Sequence, residues 1–179
     1  MKQKQSAYSN FWRNPVRVLT ITFFISFFLI PMSSYAQGGK VNFSGEWSFN
    51  ESKSEMGEGR FQTSMKLTIK QEGNNLTVER LQTGRDGQER KSTQELTLDG
   101  KENEYTTGRG TRKSTVTWSD DDLALTIKSI MVFDRDGETM EMKSVELWKL
   151  TDGGKILSIK SSSSTPRGER KATMVYDKN

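Results

Sequence analysis

An alternation of apolar and polar residues along the chain after residue 36 constrains the fold more than any other feature. Phe43, Gly45, Trp47 and Phe49 share one parity, with polar residues between the last three. The same spacing recurs in the segments 65–69, 76–78, 96–98, 116–118, 123–133, 140–150, 157–159 and 172–176. Because successive side chains of a β-strand point to opposite faces, each segment is predicted to be a strand with one apolar face and one polar face.

Turn signals separate these segments. Asp-Gly pairs stand at 86–87, 99–100 and 136–137, and glycine-containing turns lie at 73–75 and 152–154. Glycine and asparagine tolerate the positive φ of tight hairpin turns. The spacing between turns, 9 to 17 residues, leaves no room for crossover helices. We therefore predict an all-β fold of about ten antiparallel strands in an up-and-down meander that closes into a barrel, with two stacked sheets as the alternative.

The first 36 residues differ from the rest of the chain. A basic segment is followed by the 13 mostly apolar residues 18–30, by Pro31, and by small residues at Ser34 and Ala36. This order is typical of a secretory signal peptide, which we predict over residues 1–36, with one domain over 37–179. Export to the periplasm or the extracellular space is expected, with no membrane span after cleavage. A membrane anchor is the alternative, although the apolar run is shorter than the roughly 20 residues that a spanning helix needs.

Charge and composition exclude several function classes. The leader carries four basic residues and no acidic one, so the remaining chain has 23 of each sign and no net charge. The net charge of +4 therefore does not indicate a nucleic-acid partner. Because the chain contains no His and no Cys, it has no Ser-His-Asp triad, no Cys nucleophile and no Cys or His zinc ligands. We expect no catalytic site, no metal site and no cofactor.

The first predicted strand begins with Phe43-Ser44-Gly45-Glu46-Trp47. A Gly-x-Trp motif at the start of an exported ten-strand meander resembles the lipocalins (the calycin superfamily), and the part after the leader is similar to the small lipocalin-like domains that bacteria export. The resemblance implies a lipocalin-like barrel whose closed end is filled by Trp47. It also implies that a basic residue of the last strand, Arg170 or Lys171, packs on the ring of Trp47. Gly45 and Trp47 are thus expected to be structural.

In each predicted strand, the residues that share the parity of the apolar positions are predicted to point into the barrel; we call this the inward parity. Its apolar members are Met65, Leu67, Ile69, Val78, Val116, Trp118, Leu125, Ile127, Met131, Phe133, Met140, Met142, Trp148 and Met174. Methionine either lines an adaptable pocket or fills gaps in a core. Arg80 and Glu146 share this parity and are expected to pair with each other, to point into a wet mouth, or to hold the polar head of a ligand. The predicted ligand-binding residues are Arg80, Trp118, Ile127, Met131, Met142, Glu146, Trp148 and Met174.

These patterns favour a soluble exported protein that binds a small, largely apolar ligand inside the barrel. The alternative is a non-enzymatic interaction or structural module with a filled core, which acts through its charged, glycine-rich loops at 51–60 and 106–112. An outer-membrane barrel is disfavoured, because the segments 88–94 and 102–113 have almost no apolar residues for a lipid-facing band.

Overall fold

The structure is a computed structural model of the chain. It describes residues 39–57, 63–84, 86–107, 110–135, 137–165 and 168–179. Eleven strands and two short 3-10 segments, Glu51–Lys53 and Asp152–Gly154, lie in these ranges. The strands are β1 (Gly45–Phe49), β2 (Glu55–Met56), β3 (Lys66–Glu72), β4 (Asn75–Thr83), β5 (Glu89–Thr97), β6 (Glu102–Thr107), β7 (Gly110–Trp118), β8 (Ala124–Arg135), β9 (Glu138–Thr151), β10 (Ile156–Thr165) and β11 (Gly168–Lys178). The predicted signal peptide and its cleavage site lie outside the described residues.

All strand pairs are antiparallel, and sequence neighbours lie side by side through most of the sheet. The order is β5-β4-β3-β1-β11-β10-β9-β8-β7-β6, with β2 paired to β11 beside β1. The first strand pairs with the last, from Trp47 opposite Lys178 to Phe49 opposite Tyr176, so the sheet curls round on itself. The predicted all-β meander and its barrel form are thereby confirmed. None of the helical segments in the described ranges has the length and apolar character needed to cross a bilayer.

Closure of the barrel is incomplete between β5 and β6. These two strands follow each other in sequence but stand at opposite ends of the sheet order, with no ladder between them in the described residues. One side-chain hydrogen bond joins the two strands beside their connecting turn: Oδ1 of Asn103 on β6 accepts from the backbone N–H of Thr97 on β5 at 2.8 Å. The barrel is therefore nearly closed, and side chains complete it at this seam.

The core fills one end of the barrel with the residues of the inward parity. Leu67, Ile69, Val78, Val116, Leu125, Ile127 and Trp148 are buried, as predicted, together with Phe43, Leu76, Leu96, Leu98, Leu157, Ile159 and Tyr176. Phe43 lies at the centre of this end, with its ring 6.1 Å from Trp148 and 6.2 Å from Trp118. Aromatic rings of this size dominate the burial of a small core, so this cluster accounts for much of the stability of the closed end.

Trp47 is fully buried in this closed end, as the motif implied. Its Nε1 donates to the carbonyl of Phe43 at 3.2 Å. The basic residue on its ring is Lys178, whose Nζ lies 5.2 Å from the ring centre, and the expectation of Arg170 or Lys171 was wrong. The ladder between β1 and β11 explains the error, because Trp47 pairs directly with Lys178 near the end of β11. Arg170 and Lys171 are placed several residues earlier in the same strand.

The prediction that Met65 faces inward was also wrong. Met65 is 51% exposed, and Lys66 beside it is exposed too, so the alternation breaks here. Ser64 is buried instead and receives a hydrogen bond from Nε2 of Gln82 at 3.3 Å. An irregularity of this kind just before β3 moves one residue to the other face, as a bulge does.

Candidate ligand-binding site

A cavity of about 510 Å³ lies inside the barrel. Every strand from β3 to β11 contributes to its wall, and the exposed residues Ser92, Tyr105 and Arg170 mark where it reaches the surface. The full lining consists of Ser64, Leu67, Arg80, Gln82, Ser92, Thr93, Gln94, Tyr105, Arg112, Met131, Met142, Glu146, Ile159, Ser163, Arg170, Met174 and Tyr176.

The ladder registers align large inward side chains in one row and small ones in another. The register places Trp118, Leu125, Trp148, Ile159 and Met174 opposite one another on β7 to β11. The first three pack in or against the core, whereas Ile159 and Met174 also line the cavity. Nearer the open end, the register aligns four serines on β7 to β10, namely Ser114, Ser129, Ser144 and Ser163. Of these four, Ser163 lines the cavity, where a larger side chain would take up part of its space.

An ion pair lies in the wall of the cavity. Nη2 of Arg80 is 3.6 Å from Oε2 of Glu146, and the two side chains are only 18% and 24% exposed. The same Oε2 accepts a hydrogen bond from Nε1 of Trp148 at 2.9 Å. Of the three roles considered for Arg80 and Glu146, the structure shows the pairing. A carboxylate held by two donors satisfies its charge within the protein, which offsets the cost of its partial burial.

The network continues from Arg80 across the seam of the barrel. Nη1 of Arg80 donates to Oε1 of Gln94 on β5 at 2.9 Å. Nε2 of Gln94 is 3.5 Å from the hydroxyl of Ser114 on β7, which is 2.8 Å from that of Ser129. Polar side chains thus connect β5 to β7 on the inside, where the backbone ladder is missing. Buried polar groups are satisfied by this arrangement rather than left without partners.

Arg112 occupies a different environment from Arg80. It is partly buried, and Nη2 lies 3.8 Å from Sδ of Met131. In the described ranges no carboxylate lies within salt-bridge distance of Arg112. Burial, together with the positive charge of Arg80, lowers the pKa of the Arg112 guanidinium, and the negative charge of Glu146 offsets part of that effect. Arg112 therefore remains a cation whose charge the protein compensates poorly.

Methionines and Tyr176 form the less polar part of the lining. Met131 and Met142 face each other across β8 and β9, and Met174 follows on β11; all three are half-buried. The hydroxyl of Tyr176 lies 3.9 Å from Sδ of Met174. Burial is the main cause that raises the pKa of Tyr176 above its ordinary value, so its hydroxyl stays protonated. Unbranched thioether side chains adapt to ligands of different shape.

Five of the eight residues predicted to bind a ligand are brought together by the structure. Arg80, Met131, Met142, Glu146 and Met174 line the cavity. Whether these five contact a ligand remains a prediction.

The other three predicted residues lie in the closed end rather than on the cavity. Ile127 is 3% exposed, and Trp148 is fully buried against Phe43. Trp118 packs on Phe43 and beneath Lys40, whose Nζ is 5.3 Å from its ring centre. All three point inward, but none of them lines the cavity: Ile127 is opposite Glu146 and Trp148 is opposite Ile159, and it is Glu146 and Ile159 that line it.

The sequence patterns did not identify Arg112 and Gln94 as site residues. Both carry the inward parity: Arg112 is two residues before Ser114 and four before Val116, and Gln94 is two residues before Leu96. Extending each apolar alternation backwards through its polar residues would have found them. The segments around them contain few apolar residues, so no clear alternation of apolar and polar residues marks Arg112 and Gln94 as inward-facing.

No family model matches the sequence, and no curated protein matches it significantly. Among solved structures, the chain is similar to zebrafish ileal bile acid-binding protein complexed with cholic acid, with 17% sequence identity and a TM-score of 0.48. The similarity covers 76% of this chain and 98% of the zebrafish chain.

Proposed function

We propose that this chain is an exported, non-enzymatic binding protein that holds a small, largely apolar molecule in its barrel. The observation that carries the proposal is the cavity of about 510 Å³, which lies inside the barrel and reaches the surface. Ligand pockets for small molecules have volumes of roughly 300–1,000 Å³, so the cavity has the capacity for one such molecule.

The composition of the wall supports a carrier rather than a filled structural barrel. Met131, Met142, Met174, Leu67 and Ile159 give the ligand an apolar surface. Two of the charged groups beside them, Arg80 and Glu146, are paired with each other. The alternative, a module with a filled core that acts through its loops, requires an interior without such space.

Export is the second part of the proposal. It is supported by the first 36 residues, in which a basic segment is followed by an apolar segment and then by small residues at Ser34 and Ala36. The Gly45-to-Trp47 motif, through its resemblance to lipocalin-like domains exported by bacteria, supports it as well. The test is the amino terminus of the protein purified from the producing cell, which is expected to be Gln37. A mature protein that retains residues 18–30 would contradict export by cleavage.

Ligand binding is tested with N-phenyl-1-naphthylamine, a neutral apolar dye that fluoresces when it leaves water. The purified protein is expected to bind the dye with saturable fluorescence. The variant Ser163→Phe places a ring in the cavity and should abolish that fluorescence. Ser164→Phe is the matched control, because Ser164 is the next residue on β10 and is exposed. Equal binding by both variants would show that the dye binds elsewhere, and absence of binding to the unmodified protein would favour the interaction module.

Native mass spectrometry of protein from its own source adds an independent measurement. A carrier is expected to retain a bound small molecule at a stoichiometry of one, and Ser163→Phe should remove it. Protein that is free of any such molecule, and that also fails to bind the dye, would contradict the proposed function.

A further inference from the structure

The charged residues of the cavity wall are not balanced. Among the described residues of the wall, Arg80 and Arg112 stand against one carboxylate, that of Glu146. Glu146 is already engaged, because it pairs with Arg80 at 3.6 Å and accepts the indole N–H of Trp148 at 2.9 Å. The wall therefore has an excess of positive charge, and its carboxylate is not available to receive a cation.

The excess is located at Arg112. Tyr105 on β6 and Met131 on β8 face this residue directly in the two neighbouring ladders. Neither bears a negative charge, and the contact of Nη2 with Sδ of Met131 at 3.8 Å is a weak hydrogen bond. Most of the N–H groups of this guanidinium are thus available to an acceptor that enters the cavity.

The apolar part of the wall begins beside the same guanidinium. Met131 is opposite Met142 in the next ladder, so Arg112, Met131 and Met142 form one row across β7, β8 and β9. A molecule with an acceptor group at Arg112 would therefore lay its remaining atoms on thioether side chains. A partly buried cation without a counter-ion is costly, and a bound anion would remove that cost.

We propose that the ligand is an amphipathic anion whose single oxyanion head group, such as a carboxylate or a sulfonate, binds Arg112 while its apolar tail lies along Met131 and Met142. This inference rests on the proposed function and narrows its ligand class. Arg112 supplies two parallel N–H donors to the oxyanion, a geometry that guanidinium groups provide and ammonium groups do not. The pairing of Glu146 with Arg80 keeps the one carboxylate of the described wall from repelling the head group at close range.

Three probes with the same alkyl tail and different heads test the proposal. Dodecanoate, dodecanol and dodecyltrimethylammonium are titrated, each below its critical micelle concentration, to displace N-phenyl-1-naphthylamine from the full protein. Dodecanoate is expected to bind most tightly and dodecyltrimethylammonium least. Equal affinities of the anion and the cation would overturn the proposal.

Substitution of the arginine locates the head group. Arg112→Gln should lower the affinity for dodecanoate roughly ten- to hundredfold, because a charge-assisted hydrogen bond is lost. The affinity for dodecanol should not change. Arg112→Lys should recover part of the dodecanoate affinity. Arg90→Gln is the control, since Arg90 is exposed and pairs with Asp86 on the surface. If Arg112→Gln lowers the affinities for dodecanoate and dodecanol equally, the residue affects binding by maintaining the structure of the barrel, and the proposal is wrong.

A variant that is expected to raise the affinity for the anionic probe provides a second check. Glu146→Gln removes the negative charge of the wall and is expected to strengthen dodecanoate binding while it leaves dodecanol unchanged. A loss of dodecanoate affinity with retained dodecanol affinity would overturn the electrostatic argument. If the dye binds in the cavity but dodecanoate, dodecanol and dodecyltrimethylammonium bind with equal affinity, this proposal fails and the proposed function stands. If neither the dye nor any probe binds, both fail.

Discussion

Lys178 covers the ring of Trp47, with Nζ 5.2 Å from the centre of the indole. The contact joins the last described strand to the first, since the two residues are directly paired between β1 and β11. A Cβ on Gly45 would lie 2.8 Å from Cε of Lys178, so the end of the lysine side chain would have to shift. The absence of a side chain at Gly45 therefore leaves the space through which Lys178 reaches the indole.

Replacement of Gly45 is expected to destabilise the fold by about 1–3 kcal/mol, because its φ of +151° is unfavourable for residues with a side chain. Gly45→Ala also crowds Lys178, so the double variant Gly45→Ala, Lys178→Ala should recover part of the loss. Urea unfolding of the four proteins in this cycle measures both effects. Full stability of Gly45→Ala would contradict the explanation.

Truncation of Trp47 tests the closed end itself. Trp47→Ala is expected to lower the free energy of unfolding by about 3–5 kcal/mol, because it opens a cavity in a fully buried cluster. Lys178→Met should cost only about 0.5–1 kcal/mol, the value of an exposed cation–π contact. Chemical denaturation compares the two variants. A larger effect of Lys178→Met would show that the cation–π contact stabilises the closed end more than burial of the indole does.

Asn103 is expected to hold the seam of the barrel. Asn103→Leu leaves the N–H of Thr97 without its acceptor and should cost about 1–3 kcal/mol. It should also accelerate hydrogen exchange at Thr97, as measured by NMR. Asn103→Asp is the comparison variant: it loses the Nδ2 donor to the carbonyls of Lys101 and Ser114 but retains the Oδ1 acceptor, and it is expected to preserve the protection of Thr97. Unchanged exchange in Asn103→Leu would mean that another group closes the seam.

The pair of Arg80 with Glu146 is predicted to be coupled in stability. Each of Arg80→Met and Glu146→Leu leaves one charge without its partner in a half-buried position, and each should destabilise by about 1–3 kcal/mol. The double variant should be less destabilised than the two losses combined, since it removes both charges. Additive losses in a double-mutant cycle, measured by urea unfolding, would show that the ion pair contributes nothing beyond its separate contacts.

Acid is expected to weaken the attachment of the Glu51–Lys53 segment to β11. Hydrogen bonds from Asn50 and Lys53 lower the pKa of Asp177 from its ordinary value of 3.8. A carboxyl whose pKa is lower in the folded state stabilises the fold above its unfolded pKa, and this stability is lost as the pH falls through the folded pKa. Unfolding measured from pH 6 to pH 2 should therefore show a smaller acid loss in Asp177→Asn than in the unmodified protein. An identical pH dependence would exclude this role.

The faces of most strands could be predicted from the sequence. Val116 and Ile127 are buried as the alternation required, because the face to which a strand residue points depends only on its position in that strand. The prediction was wrong at Met65, where an irregularity before β3 exchanges the faces. Such a shift depends on the contact of Ser64 with Gln82, which comes from another strand.

Membership of the cavity could be predicted only in part. Met131 and Trp148 share the inward orientation, yet Met131 lines the cavity and Trp148 lies in the core. Trp148 is opposite Leu125 near the start of β8, whereas Met131 lies nearer its end, so the two residues occupy different levels of the β8–β9 hairpin. The pairing of Lys178 with Trp47 depends on the stagger between strands that are distant in sequence, and for that reason Arg170 and Lys171 were the wrong candidates.

By itself, the order of residues determined that this protein is a meander of two-faced strands, since alternation and turn chemistry act over a few neighbouring positions. The tertiary structure decided which inward residues meet. It engaged Glu146 with Arg80 and placed Arg112 beside Met131, with no carboxylate of the described ranges at salt-bridge distance of Arg112. Those relationships arise from ladder register and barrel closure, which join residues far apart in the chain and are set by the packing of the whole barrel.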